Sequence, residues 1–88
     1  EILNPASFSA VYPNPLEGAG FVNYQLNQGD EGTVVFRDLM GKEIIRMENL
    51  VLTGTIQIDA NAFSSGIGFC TLEVNGIAVR TERFVVVR

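Results

Sequence analysis

The sequence contains no histidine, no tryptophan and only one cysteine, Cys70. Without histidine it lacks the commonest general base and the commonest transition-metal ligand. A Ser-His-Asp or Cys-His arrangement is therefore excluded within the chain. A lone cysteine permits no internal disulfide and assigns no redox compartment. Cys70 lies in an apolar strand pattern and reads as a small core residue, not a nucleophile. Long apolar runs are missing too, so no segment reads as a membrane-spanning helix. No basic region followed by an apolar stretch opens the chain, so no signal peptide is expected in this segment. The start at Glu1 suggests a piece of a longer polypeptide. Positive charge is scarce: six Lys and Arg stand against ten Asp and Glu, a net charge of −4. That argues against nucleic acid as a partner, since such binding needs clustered cations. The loop acids Asp30, Glu31 and Asp38 have the chemistry of a hard-cation site, but loop acids are usually just solvated. No metal, no cofactor and no catalytic centre are expected.

What is present is apolar and β-forming. With 88 residues, 47% hydrophobic and 18% charged, the chain is long enough for one globular domain with a modest core. It is organised around 34–47, two strand-like runs flanking Asp38-Leu39-Met40-Gly41. Asp38 suits the first position of a type I turn, where its carboxylate meets downstream amides. Gly41 suits the positive-φ position that completes such a hairpin. Val34 and Phe36 share one face, with Ile45 and Met47 on one face of the return strand. As residues on their own, Asp38, Gly41 and Lys42 read as a structural turn.

The remaining chain follows the same alternation. Glu1 to Ser7 reads as a linker end, and Phe8 to Tyr12 as a short first strand. That strand stops at Pro13-Asn14-Pro15, a rigid corner lacking two backbone donors. Leu16 to Gly20 reads as a loop. Val22, Tyr24 and Leu26 then share one face of a strand opposite Asn23 and Gln25. Asn49 to Thr53 is ambiguous between strand and crossing. Thr55 to Asp59 is a strand, followed by a loop in which Phe63 plugs one end of the fold. In Ile67 to Val74, Cys70, Leu72 and Val74 point one way. Asn75-Gly76 is a strong two-residue hairpin signal; it predicts Val74 opposite Ile77 and Leu72 opposite Val79. Arg83 to Arg88 reads as a strand buried on both faces or paired centrally, although Arg80, Arg83 and Arg88 also suit a charged, solvated edge that discourages pairing. Seven short strands and no helical periodicity predict an all-β fold, a small antiparallel immunoglobulin-like β-sandwich. An exposed terminal strand would also offer an edge for self-association.

Together these pieces resemble the C-terminal sorting domain of the type IX secretion system, type A, of Bacteroidota. Val11-Tyr12-Pro13-Asn14-Pro15 looks like the family's opening motif. Val35 to Glu43 looks like its central Asp-x-x-Gly-Lys hairpin, with Asp38, Gly41 and Lys42 at the motif positions. Phe63 and Gly66 fit a segment that usually carries Leu, two residues and Gly. The terminal strand, Arg83 with Val85, Val86, Val87 and Arg88, resembles the family's basic, Val-rich end. One position departs: Gly66-Ile67 is followed by Gly68 where the family usually has Tyr. Phe69, Phe84 or a strand bulge is then left to fill the space.

The resemblance implies a delivery label on a larger cargo, carried at the end of the same chain. Its partners would be the outer-membrane translocon and a sortase-like signal peptidase. The peptidase would remove the label and join the cargo to anionic lipopolysaccharide at the cell surface, after transit through the periplasm. Residues 1–7 would then lie near the cut and 8–88 would form the sorting domain. Tyr12, Pro13, Asn14, Pro15, the 38–42 turn, Gly66 and the 83–88 strand are the recognition candidates it implies. The competing class is an immunoglobulin-like accessory module that binds carbohydrate or protein. Phe21 and Phe69 are the rings the pattern leaves for such a platform.

Overall fold

The computed structural model describes residues 6–88, and the alternation of apolar and polar side chains becomes seven strands. They are β1 (Ser7–Phe8), β2 (Ala19–Gln25), β3 (Gly32–Asp38), β4 (Glu43–Leu50), β5 (Thr53–Asp59), β6 (Gly66–Val74) and β7 (Ile77–Val86). A single 3₁₀ turn, Ala60–Ala62, follows β5 and is capped by the Asp59 carboxylate, which accepts from Asn61 N at 2.8 Å. The strands form a three-stranded sheet in the order β1-β2-β5 and a four-stranded sheet in the order β4-β3-β6-β7. Each described pairing between named strands is antiparallel. The two inner faces enclose one core that includes Val22, Leu26, Ile56 and Ile58 from the smaller sheet and Val34, Phe36, Cys70, Leu72, Phe84 and Val86 from the larger. This is the small β-sandwich that the pattern predicts.

Three local readings change. The expected first strand, Phe8 to Tyr12, is interrupted. After Phe8 the Ser9 N–H still donates to Asn23 O at 2.9 Å, but the Ser9 hydroxyl takes the return position, accepting from Asn23 N at 2.8 Å. Val11 turns into the core, and pairing resumes only at the Tyr12–Phe21 bridge. The linker reading of 1–7 lies outside the described residues up to Pro5, while Ser7 already pairs with Gln25. At Asn49 to Thr53 the ambiguity resolves into the end of β4, a two-residue crossing at Val51 and Leu52, and the start of β5.

The second change concerns β7. Val74 does face Ile77, but Leu72 faces Arg80, not Val79. The register shifts between Leu72 and Glu73, leaving Val79 as an extra residue, a bulge. Without it, Arg83 and Val85 would turn inward. With it, Phe84 and Val86 do, and both are buried. Burying a Phe side chain contributes about 2–3 kcal/mol, enough to select this register. Arg80 and Glu82 then fall on the inner side of an overhanging edge, where Arg80 Nε donates to Glu82 Oε2 at 2.9 Å.

Thirdly, the terminal strand is neither central nor buried on both faces. It lies at the edge of the four-stranded sheet, with Arg83 exposed, Phe84 buried and Val86 buried. The solvated-edge reading of its arginines holds for Arg80, Arg83 and Arg88, all exposed.

Candidate functional site

Strand direction brings the quoted motifs to one end of the sandwich. β3 runs toward Asp38, β6 starts at Gly66, and β7 ends at Val86 opposite Gly66. The Asp38–Lys42 turn, the Phe63–Gly66 loop and the end of β7 therefore sit close together.

The turn forms as its residues dictate. Asp38 Oδ1 accepts from Met40 N at 3.0 Å and from Lys42 N at 2.9 Å. Gly41 N donates to Asp38 O at 3.0 Å, and Asp38 N to Lys42 O at 3.0 Å. Gly41 has φ +86°, a region costly for side chains with a Cβ. The connection leaves Leu39 and Met40 in solvent, Met40 being 89% exposed. Across from them run Ser64 to Ile67, and between the two lies a shallow groove of about 270 Å³. The Lys42 ammonium faces no carboxylate at ion-pair distance among the described residues.

The Phe63 loop is held from inside and from the terminus. Phe63 packs edge-on against Phe84 at 5.5 Å and Phe36 at 6.1 Å between ring centroids. This is the plug that the sequence predicts. Arg88 Nη1 donates to Phe63 O at 3.0 Å, and Arg88 N to Ser65 Oγ at 3.2 Å. Gly66 itself is exposed with φ +127°.

The opening motif docks on the terminal strand. Tyr12 and Phe21 exchange two backbone bonds, at 2.9 and 2.8 Å. Both X–Pro bonds, at Pro13 and Pro15, are cis. The prolines have no N–H to offer, and the Asn14 side chain takes part in the pairing instead: Val85 N donates to its Oδ1 at 3.0 Å. Leu16, fully buried, then bridges β7 in parallel, donating to Val85 O at 2.7 Å and accepting from Val87 N at 2.9 Å. Tyr12, Pro13, Asn14, Pro15 and Val87 remain exposed around this clasp, and Val85 is half-buried. The sequence pattern places Leu16 in a loop; the signal for its burial is a lone leucine directly after the second proline.

The departure at Gly68 is resolved by Phe84. A Cβ on Gly68 would stand 2.6 Å from Phe84 Cζ, so the ring occupies the volume that a side chain there would take. Beneath it, burial pushes the Cys70 thiol well above its ordinary range, with the negative charge of Glu82 adding to the shift. That holds the sulfur protonated and unreactive. On the outer face of the larger sheet, hydrogen bonding and charge from Glu43 raise Arg46, with Glu48 and Glu73 contributing. Among the described residues no cluster of Cys, Asp and Glu side chains is placed to hold a metal ion. No helix there is long and apolar enough to cross a membrane.

A family model described as a secretion system C-terminal sorting domain matches residues 10–87. No curated protein gives a significant match to the chain.

Proposed function

Because the chain belongs to the family of type IX secretion system C-terminal sorting domains, we propose that its translocon reads the end of the sandwich where the motifs meet. Family membership makes this a sorting signal carried with a cargo and directed toward the outer membrane or cell surface. The finer steps are our reading. After periplasmic transit the folded domain engages the outer-membrane translocon, a sortase-like peptidase cuts ahead of β1, and the cargo is attached at the surface. Residues 8–88 then act as the label together with Ser7, which pairs with Gln25, and the rest of 1–7 lies next to the cut.

The observation that carries this reading is the clasp. Tyr12 to Leu16 and Val85 to Val87 bond directly to each other, so the opening motif and the basic terminal strand form one surface. Arg83, Val87 and Arg88 stand exposed on or beside it. The Asp38–Lys42 turn and Gly66 shape its border. In this division of labour Asp38, Gly41 and the prolines hold the backbone, while Arg83, Lys42 and Val87 meet the partner.

Removing 83–88 outright would also remove the buried Phe84 and Val86, so loss of export would only report unfolding. Arg83→Ala with Val87→Ser alters exposed positions. In a reporter fusion this pair is expected to lower the secreted fraction several-fold while the isolated domain keeps its circular dichroism and melting temperature. Unchanged secretion would refute the assignment of these residues.

A further inference from the structure

Charge is divided between the two sheets. All six basic residues lie in or beside the strands of the larger sheet, which explains why none precedes Arg37. The outer face of the smaller sheet has none, and from Thr53 to Gln57 it has no acid either. Its outward residues come in facing pairs: Phe21 with Gln57, Asn23 with Thr55, Gln25 with Thr53. A solvated sheet face normally mixes charges of both signs. This one presents amides, hydroxyls and rings.

The rings are paired. Tyr12 and Phe21 lie 5.8 Å apart between centroids, tilted by 36°, with Tyr12 43% exposed. Tyr12 also lines an open groove of about 550 Å³ that crosses β1, β2 and β5, and no residue lining it carries a charge. The polar groups are set in advance. Asn23 Oδ1 accepts from the Tyr12 hydroxyl at 3.1 Å and from Thr55 Oγ1 at 2.9 Å, which turns the Asn23 amide nitrogen to the other side with its donors available. The Gln25 and Gln57 amides have no protein partner among the described residues.

We propose that this face is a binding site for a neutral oligosaccharide. Sugar rings present apolar C–H faces that stack on Tyr and Phe, and their hydroxyls both donate and accept, as amides and hydroxyls do. A phosphate, an acidic peptide or a nucleic acid would find no countercharge here. From Phe21 to Gln25 the face spans about 13 Å, which suits a short chain of sugars better than a single one. The site shares Tyr12 with the clasp, but Phe21, Asn23, Thr55 and Gln57 lie outside the sorting surface, so a failure of Gln57→Ala to weaken sugar binding would leave the export reading untouched.

The test is an NMR titration of the ¹⁵N-labelled 88-residue chain with cellohexaose, laminarihexaose and mannohexaose, and with hexagalacturonate as the charged counterpart. The expected result is that a neutral hexasaccharide shifts the amides of Tyr12, Phe21, Asn23, Thr55 and Gln57. Its affinity should change less than about twofold between roughly 50 and 500 mM salt. Tyr12→Ala should weaken binding about tenfold. Gln57→Ala, at an exposed strand position that leaves the core intact, should weaken it several-fold, and Arg83→Ala should leave it unchanged. The proposal is overturned if none of the three neutral probes shifts this face, if the shifts map elsewhere, if hexagalacturonate binds more tightly, or if Gln57→Ala has no effect.

Discussion

At Gly68 a single missing carbon decides how the larger sheet packs. Phe84 lies where its Cβ would be, so Gly68→Ala must push the ring toward Phe36 and Phe63. Overpacking of this kind costs about 1–3 kcal/mol, and the melting temperature should fall accordingly. Combining it with Phe84→Leu should recover part of the loss, and a double-mutant cycle in urea would measure the coupling. Cys70 supplies a pH dependence whose sign can be worked out. The native thiol is raised by burial, while the unfolded thiol titrates near its ordinary 9.0. Above pH 9.0 the unfolded chain releases a proton that the native chain keeps. The contribution is thus fully present below that pH and is lost as pH rises, by up to about 1.4 kcal/mol per pH unit. Cys70→Ala has no thiol to titrate and lacks this dependence. Urea unfolding of both proteins from neutral to alkaline pH should show the native chain losing stability relative to the variant. At this scale the sequence already marks Cys70 as core and Gly68 as the place where volume is missing. It does not choose between Phe69 and Phe84 as the filler, because that depends on which strand faces Gly68.

Elements whose turns are fixed by local chemistry are the legible ones. Asp38 and Gly41 define their hairpin, and Asn75 and Gly76 theirs, through bonds and dihedrals within a few residues. The register of β7 is not local. The Val79 bulge exists because Phe84 and Val86, several residues downstream, bury better in the shifted ladder. Deleting Val79 should restore a regular ladder and keep the fold. It should also straighten an edge that the bulge now twists away, so analytical ultracentrifugation should detect more self-association than in the parent chain. The clasp was illegible for a related reason: it joins Asn14 and Leu16 to residues about seventy positions away. Asn14→Ala should cost about 1 kcal/mol and speed amide exchange at Val85, measurable by mass spectrometry.

The whole molecule is a sandwich with unequal sides. The outer face of the larger sheet is charged, yet Val35 on that face is fully buried. Its strand is flanked by β4 and β6, and Thr71 opposite it is buried as well. Amide exchange should therefore be slowest at 34–36 and 70–72 and fastest at Ser7 and Phe8, whose strand spans two residues. The overall class was readable because alternation reports burial strand by strand. The division of strands between the sheets was not, since β5 leaves the order of its neighbours and joins β2.

The bridge from Leu16 to β7 makes closure of the fold wait on its seventh strand. A copy terminated or trimmed before Val85 leaves Leu16 with no partner to close on, however well its earlier strands assemble. Such a copy keeps the opening motif yet loses the surface that the motif shares with β7.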